Sequence, residues 1–145
     1  MIRRLFAALA VVGALAASAA CTPQPSRPEV PEKPPVTDGV PEELLSFYEQ
    51  QPQWEDCADG FQCATIDAPR DWDNPADGTI ELAMTRPADR PADPQSSLLV
   101  NPGGPGGSGI EYVQSSIGYD GFGEALLNTF DIVGFDPRGV GESTP

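Results

Sequence analysis

The stretch Ser97-Leu98-Leu99-Val100-Asn101-Pro102-Gly103-Gly104-Pro105-Gly106-Gly107-Ser108-Gly109 decides the fold. Ser97 to Val100 is a continuous apolar run, the pattern of a strand buried on both faces of a sheet. A glycine-rich turn follows at once, and a helix is predicted to begin near Gly109 or Ile110. In an open α/β sheet, ligands sit at the carboxyl ends of strands. Five glycines between 101 and 109 strip side chains away, so backbone N–H groups can approach a ligand closely and hold an oxyanion. Pro105 has no N–H to donate, which leaves Gly104 as the natural donor. The plain alternative is that the glycines only permit a tight turn. Two prolines interleaved with the glycines after an apolar strand weigh for function.

Outward from this stretch, the remaining elements follow the same order. Pro41 to Gln51 reads as a short helix, with Pro41, Glu42 and Glu43 suited to its first turn and Leu44, Leu45 and Tyr48 on one face. Cys57 and Cys63 bracket the turn Ala58-Asp59-Gly60. Gln62 to Ala68 and Thr79 to Thr85 read as strands, joined by an Asp-, Asn- and Pro-rich loop from Arg70 to Gly78. Pro87 to Gln95 is another loop. Phe122 to Asn128 is amphipathic and leads into a buried strand, Phe130 to Phe135. That last strand is expected to be the sheet's unpaired edge. The order is that of an α/β fold with an incomplete sheet.

Composition narrows the function. The chain has 8 basic and 22 acidic residues, a net charge of −14, and a single lysine. Phosphate recognition needs Lys and Arg clusters, so a nucleic-acid partner is excluded. There is no histidine, so a Ser-His-Asp triad cannot be completed within these residues. With three cysteines and no imidazole, neither a metal nor another cofactor is expected.

Two motifs are decoys. Gly104-x-Gly106-x-x-Gly109 matches the dinucleotide fingerprint, with Asp131 near the place of the ribose-binding acid. Asp131, however, begins the next strand, whereas the ribose acid normally ends it, and two strands precede the motif. Gly141-Glu142-Ser143 begins like a nucleophile elbow, but position 145 is Pro where the elbow needs Gly. Ser143 therefore reads as a turn residue, and Ser108 as a loop residue without a base nearby. In the second loop, Asp136 and Arg138 are expected to pair across a tight turn, with Gly139 and Gly141 supplying unusual backbone angles.

The start of the chain reads as an export signal. Arg3-Arg4 precede an apolar run from Leu5 to Ala17, and small residues follow at 18–20. Ala17-Ser18-Ala19 fits cleavage to a soluble, secreted protein. Leu15 to Cys21 instead resembles a bacterial lipobox, in which Cys21 carries lipid and becomes the new N-terminus. Three cysteines leave one over after pairing. A lipidated Cys21 leaves Cys57 and Cys63 as a disulfide pair in an oxidising compartment. Thr22 to Gly39 contains six prolines, an extended tether. The expected organisation is a signal peptide at 1–20, a Pro-rich tether at 21–40 and an α/β domain at 41–145, exported and held at the membrane by lipid.

The two loops together resemble a family. Asn-Pro-Gly-Gly-Pro-Gly-Gly-Ser-Gly at 101–109, then Asp-Pro-Arg-Gly-Val-Gly-Glu-Ser at 136–143, is similar to the α/β-hydrolase exopeptidases of actinobacteria. These are the tripeptidyl aminopeptidases and their relatives, akin to proline iminopeptidases. Trp54-x-x-Cys57, Gln62-Cys63-Ala64-Thr65 and Gly78-Thr79-Ile80-Glu81-Leu82 agree, so the resemblance covers roughly residues 50–145. It implies an N-terminal portion of an α/β-hydrolase fold. Asn101, Pro102, Gly103, Pro105 and Gly106 would then form the oxyanion loop around the donor Gly104, with Pro102 where proline iminopeptidases carry a histidine. Asp136, Arg138, Gly139, Gly141 and Ser143 would form a structural loop, and Cys57 with Cys63 an early disulfide. The nucleophilic serine, the acid, the histidine and a substrate-selecting cap domain would lie beyond residue 145. The expected parent is a serine aminopeptidase that releases short peptides from free N-termini. An esterase on the same fold and a non-enzymatic exported lipoprotein are the alternatives. These residues alone are expected to be marginally folded and inactive.

Overall fold

The computed structural model describes residues 33–119 and 121–145. The leader and Cys21 lie outside the described residues. Of the tether, residues 33–40 are described and carry no helix or strand.

A 3-10 turn, Glu42–Leu44, runs into one turn of α-helix, α1 (Leu45–Tyr48), shorter than the Pro41 to Gln51 helix expected. Its end is fixed from outside. The Gln50 side chain accepts from the Asp67 N–H at 2.7 Å and donates to the Asp67 carbonyl at 2.8 Å. The chain then forms β1 (Glu55–Ala58), β2 (Phe61–Pro69) and β3 (Thr79–Pro87) as an antiparallel meander. Strand β1 was not anticipated, because its residues are all exposed and carry no alternation. The turn after it places Cys57 and Cys63 in bonding range, and they form a disulfide with Cα atoms 5.7 Å apart.

β4 (Ser97–Val100) is followed by α2 (Gly109–Gly118), the single-turn α3 (Glu124–Leu127) and β5 (Asp131–Phe135). β4 and β5 pair in parallel, with Val100 opposite Gly134, and β5 pairs antiparallel with β3. The sheet order among the described residues is β1-β2-β3-β5-β4. The architecture is a mixed five-stranded α/β sheet with few helices.

The order corrects two expectations. The edge is β4 rather than the strand ending at Phe135, because β5 returns between β3 and β4 after the α2 crossover. Nor is β4 buried on both faces: Leu99 is 64% exposed. β5, by contrast, is buried from Asp131 to Gly134. Ala64, Met84 and Val133 form a small core cluster, with Trp54, Ile66 and Phe135 packed against it. On the helix side Val113 of α2 is fully buried.

Candidate functional site

The glycine loop leaves β4 at its carboxyl end and re-enters α2. Both ends of the loop are held at the end of β5, at Gly134 and Phe135. Val100 pairs with Gly134. At the other end, Gly109 lies so close to β5 that a Cβ there would fall 2.8 Å from Phe135 N, and closer still to the Phe135 carbonyl oxygen. From the other side, a Cβ on Gly134 would run into the Gly109 carbonyl and stand 2.8 Å from Val113 Cγ2. Glycine at 109 and at 134 is what lets helix and strand touch backbone to backbone.

Between these anchors the loop is exposed from Asn101 to Gly106. Asn101 Oδ1 accepts from the Gly103 N–H at 2.9 Å. The Gly104 N–H has no acceptor among the described residues. Gly104 sits at φ 137°, and the Gly104–Pro105 peptide is cis. A side chain on Gly104 would also meet Gly106 N at 2.8 Å. This position therefore admits glycine for both conformation and space.

The loop exit is clasped to the loop that follows β5. Ser108 caps α2, its Oγ accepting from the Glu111 N–H at 3.0 Å, and donates to Asp136 Oδ1 at 2.6 Å. Asp136 Oδ1 also accepts from the Ile110 N–H at 3.2 Å, and Oδ2 from the Glu142 N–H at 3.0 Å. Asp136 is 1% exposed, so these three donors replace the water a buried carboxylate would otherwise need. Ser143 Oγ donates to the Asp136 carbonyl at 2.6 Å and accepts from the Ala83 N–H at 2.9 Å. It thereby extends the β3–β5 pairing through a side chain.

Two readings of these serines and this loop change. Ser108 is a helix cap bonded to a buried carboxylate, not a bare loop residue. Asp136 does not pair with Arg138: the Arg138 guanidinium donates instead to the Arg70 carbonyl at 3.1 Å. The turn faces Asp136 inward toward α2 and Arg138 outward, where it is exposed. The dinucleotide decoy also falls. Asp131 is at the amino end of β5, away from the glycine loop, in ion pairs with Arg86 at 3.2 Å and Arg90 at 3.4 Å. Arg86 lies over the Trp54 ring at 4.1 Å.

A cavity of about 800 Å³ opens behind the clasp, lined by Ser108, Ile110, Glu111, Asp136, Glu142 and the Cys57–Cys63 bridge. Gly104 does not line it. Gly104 instead lies exposed in the loop that leaves the carboxyl end of β4.

No family model matches the chain. It is 37% identical over 100 residues to tripeptidyl aminopeptidase of Streptomyces lividans, a match covering 63% of this chain and 19% of that protein. It is 45% identical over 86 residues to carboxylesterase B of Mycobacterium tuberculosis, covering 58% of this chain and 16% of the relative. It is 42% identical over 88 residues to serine protease Hip1 of the same organism, covering 59% and 16%. The chain is a homologue of these hydrolases. The resemblance carried by its two loops therefore holds. The hydrolase homologue spans less than a fifth of the length of these curated relatives. Their names divide between peptide and ester substrates, and they share hydrolysis. One of the three, Hip1, is named a serine protease.

Proposed function

We propose that these residues form the N-terminal segment of an exported serine hydrolase of the α/β-hydrolase fold, in which the Gly104 N–H stabilises the oxyanion of a tetrahedral intermediate. The observation that carries the reading is the exposed Gly104 N–H, without an acceptor among the described residues, at the carboxyl end of β4. Beside it, the outer edge of β4 is unpaired among the described residues. A further parallel strand added to that edge would end next to Gly104. A nucleophilic serine on the turn after such a strand would stand beside the loop, and the N–H following it would be the second donor. The chain has no histidine, so a histidine general base would come from elsewhere in the polypeptide. These 145 residues alone carry no turnover.

The favoured activity is that of an aminopeptidase releasing short peptides from free N-termini. The tripeptidyl aminopeptidase match supports it, as does the resemblance of the Asn-Pro-Gly-Gly-Pro-Gly-Gly-Ser-Gly loop to that family's. The higher identity to carboxylesterase B supports the esterase reading. Lipidation of Cys21, with the Pro-rich segment as a tether, would hold the enzyme at the outer face of the membrane. The test is to treat the complete polypeptide with a fluorophosphonate and map the adduct. A single modified serine outside residues 1–145 supports the serine hydrolase. The ratio of kcat/KM on a tripeptidyl anilide to that on a nitrophenyl ester then separates peptidase from esterase. No adduct and no turnover would leave a binding protein instead.

A further inference from the structure

Asp136 is a buried titratable group to which the proposed chemistry assigns no role. Its carboxylate is 1% exposed and receives three donors from two separate segments: Ser108 Oγ and the Ile110 N–H from the glycine-loop exit, and the Glu142 N–H from the loop after β5. The fit is close. A Cβ on Gly141 would run into Asp136 Oδ2 and stand 2.8 Å from its Cγ. The Ser108 contact is 2.6 Å, in the short range of an O–H donor to an ionised acceptor. Such bonds are about twice as strong as neutral ones.

The geometry points to Asp136 as a positioning residue that acts on the oxyanion loop through Ser108. The inference rests on the proposed role of Gly104. The loop leaves Val100, which is fixed by its pairing with Gly134, and must return to Gly109, which is fixed on Phe135. Between those points Ser108 is the side chain, among the described residues, that ties the loop exit to the loop after β5, through Asp136. An oxyanion donor works only when held at the place where charge develops. A displacement of about 1 Å at a reacting centre costs on the order of 10²-fold in rate. Asp136 touches no reacting atom. It sets where Gly104 points.

The clasp can be opened from the Ser108 side, and its outer half disturbed from the Asp136 side. Ser108→Ala removes the loop-side bond and the helix cap, and Ser108→Thr keeps both. Asp136→Asn keeps one oxygen. Two donors, Ser108 and Ile110, face one side of the carboxylate, so the amide oxygen settles there and its NH2 opposes the Glu142 N–H. The Asn variant therefore disturbs the outer loop while leaving the Ser108 tie in place. In the complete hydrolase, Ser108→Ala should lower kcat by roughly 10- to 100-fold at unchanged KM. Ser108→Thr should restore it, and Asp136→Asn should cost less than Ser108→Ala. In the same protein, hydrogen exchange at Ile110 and Glu111 should rise about tenfold or more in Ser108→Ala, while the β2–β3 amides stay unchanged.

Wild-type kcat in Ser108→Ala overturns the inference, as does exchange rising equally throughout the sheet, which marks a purely structural role. The underlying reading fails separately. Replacing the Gly104 N–H by an ester oxygen would then leave turnover unchanged. An ester that abolishes turnover beside an active Ser108→Ala would sink the clasp alone.

Discussion

Gly109→Ala puts a methyl group into the backbone of β5. The added carbon would stand 2.8 Å from Phe135 N and 3.0 Å from Phe135 C, and nearer still to the carbonyl oxygen. Carbon contacts are most favourable at about 3.5–4.0 Å, so α2 must retreat by about 1 Å. The atoms in the way are backbone and cannot rotate aside. Overpacking of this kind costs about 1–3 kcal/mol. Alanine over glycine in a helix returns at most about 1 kcal/mol, less at the first helical residue. The clash wins, and the net loss should be about 1–2 kcal/mol. Urea unfolding followed by tryptophan fluorescence measures it, in sucrose to raise the folded baseline. Gly123→Ala is the control, because a Cβ there meets nothing within 4 Å; it should stay within about 0.5 kcal/mol of wild type. If Gly109→Ala is as stable as wild type, the backbone contact between α2 and β5 is wrong, and with it the anchoring of the glycine loop.

The remaining predictions concern other parts of the molecule. Asp131→Ala leaves Arg86 and Arg90, 11% and 13% exposed, without their shared carboxylate. It should cost about 3 kcal/mol, at the lower end for a broken buried pair because Arg86 keeps its Trp54 contact; a loss under about 1 kcal/mol in the same urea assay would show the cluster to be solvated. The Cys57–Cys63 bridge closes a loop of sequence separation 6, so reduction should cost about 2 kcal/mol on chain-entropy grounds. Mass spectrometry of the unreduced protein should recover the linked peptide, and two free thiols would refute the pairing. Metabolic labelling with a fatty acid should mark the wild type and not Cys21→Ser; equal labelling of both rules out the anchor.

Strands β2 to β5 and the glycine loop were legible because their signals are local. Alternation over Thr79–Thr85 and the run of glycine and proline after Val100 need no tertiary context. What depended on partners was not legible. β1 is held by pairing with β2 and by a disulfide, and its own residues have no apolar pattern. The position of β5 inside the sheet is decided by the α2 crossover, so the exposed edge fell on β4. The partner of Asp136 is 28 residues away at Ser108, beyond the reach of any turn argument. A hint did exist: both serines that bond to Asp136 stand in the two glycine-rich loops singled out for other reasons. The φ of 137° at Gly104 was hidden as well. It makes Gly104→Pro a poor probe of the N–H, because proline fixes φ near −65°.

The most direct test of the oxyanion role therefore leaves the side chain alone. In the complete polypeptide, glycolic acid in place of Gly104 converts the 103–104 amide to an ester. It deletes one N–H and adds no side chain at a position that tolerates none. With a donor at Gly104, kcat should fall by about 10²–10³ while KM changes little. Wild-type kcat in the ester protein would contradict the account, and the glycines would then serve only the turn.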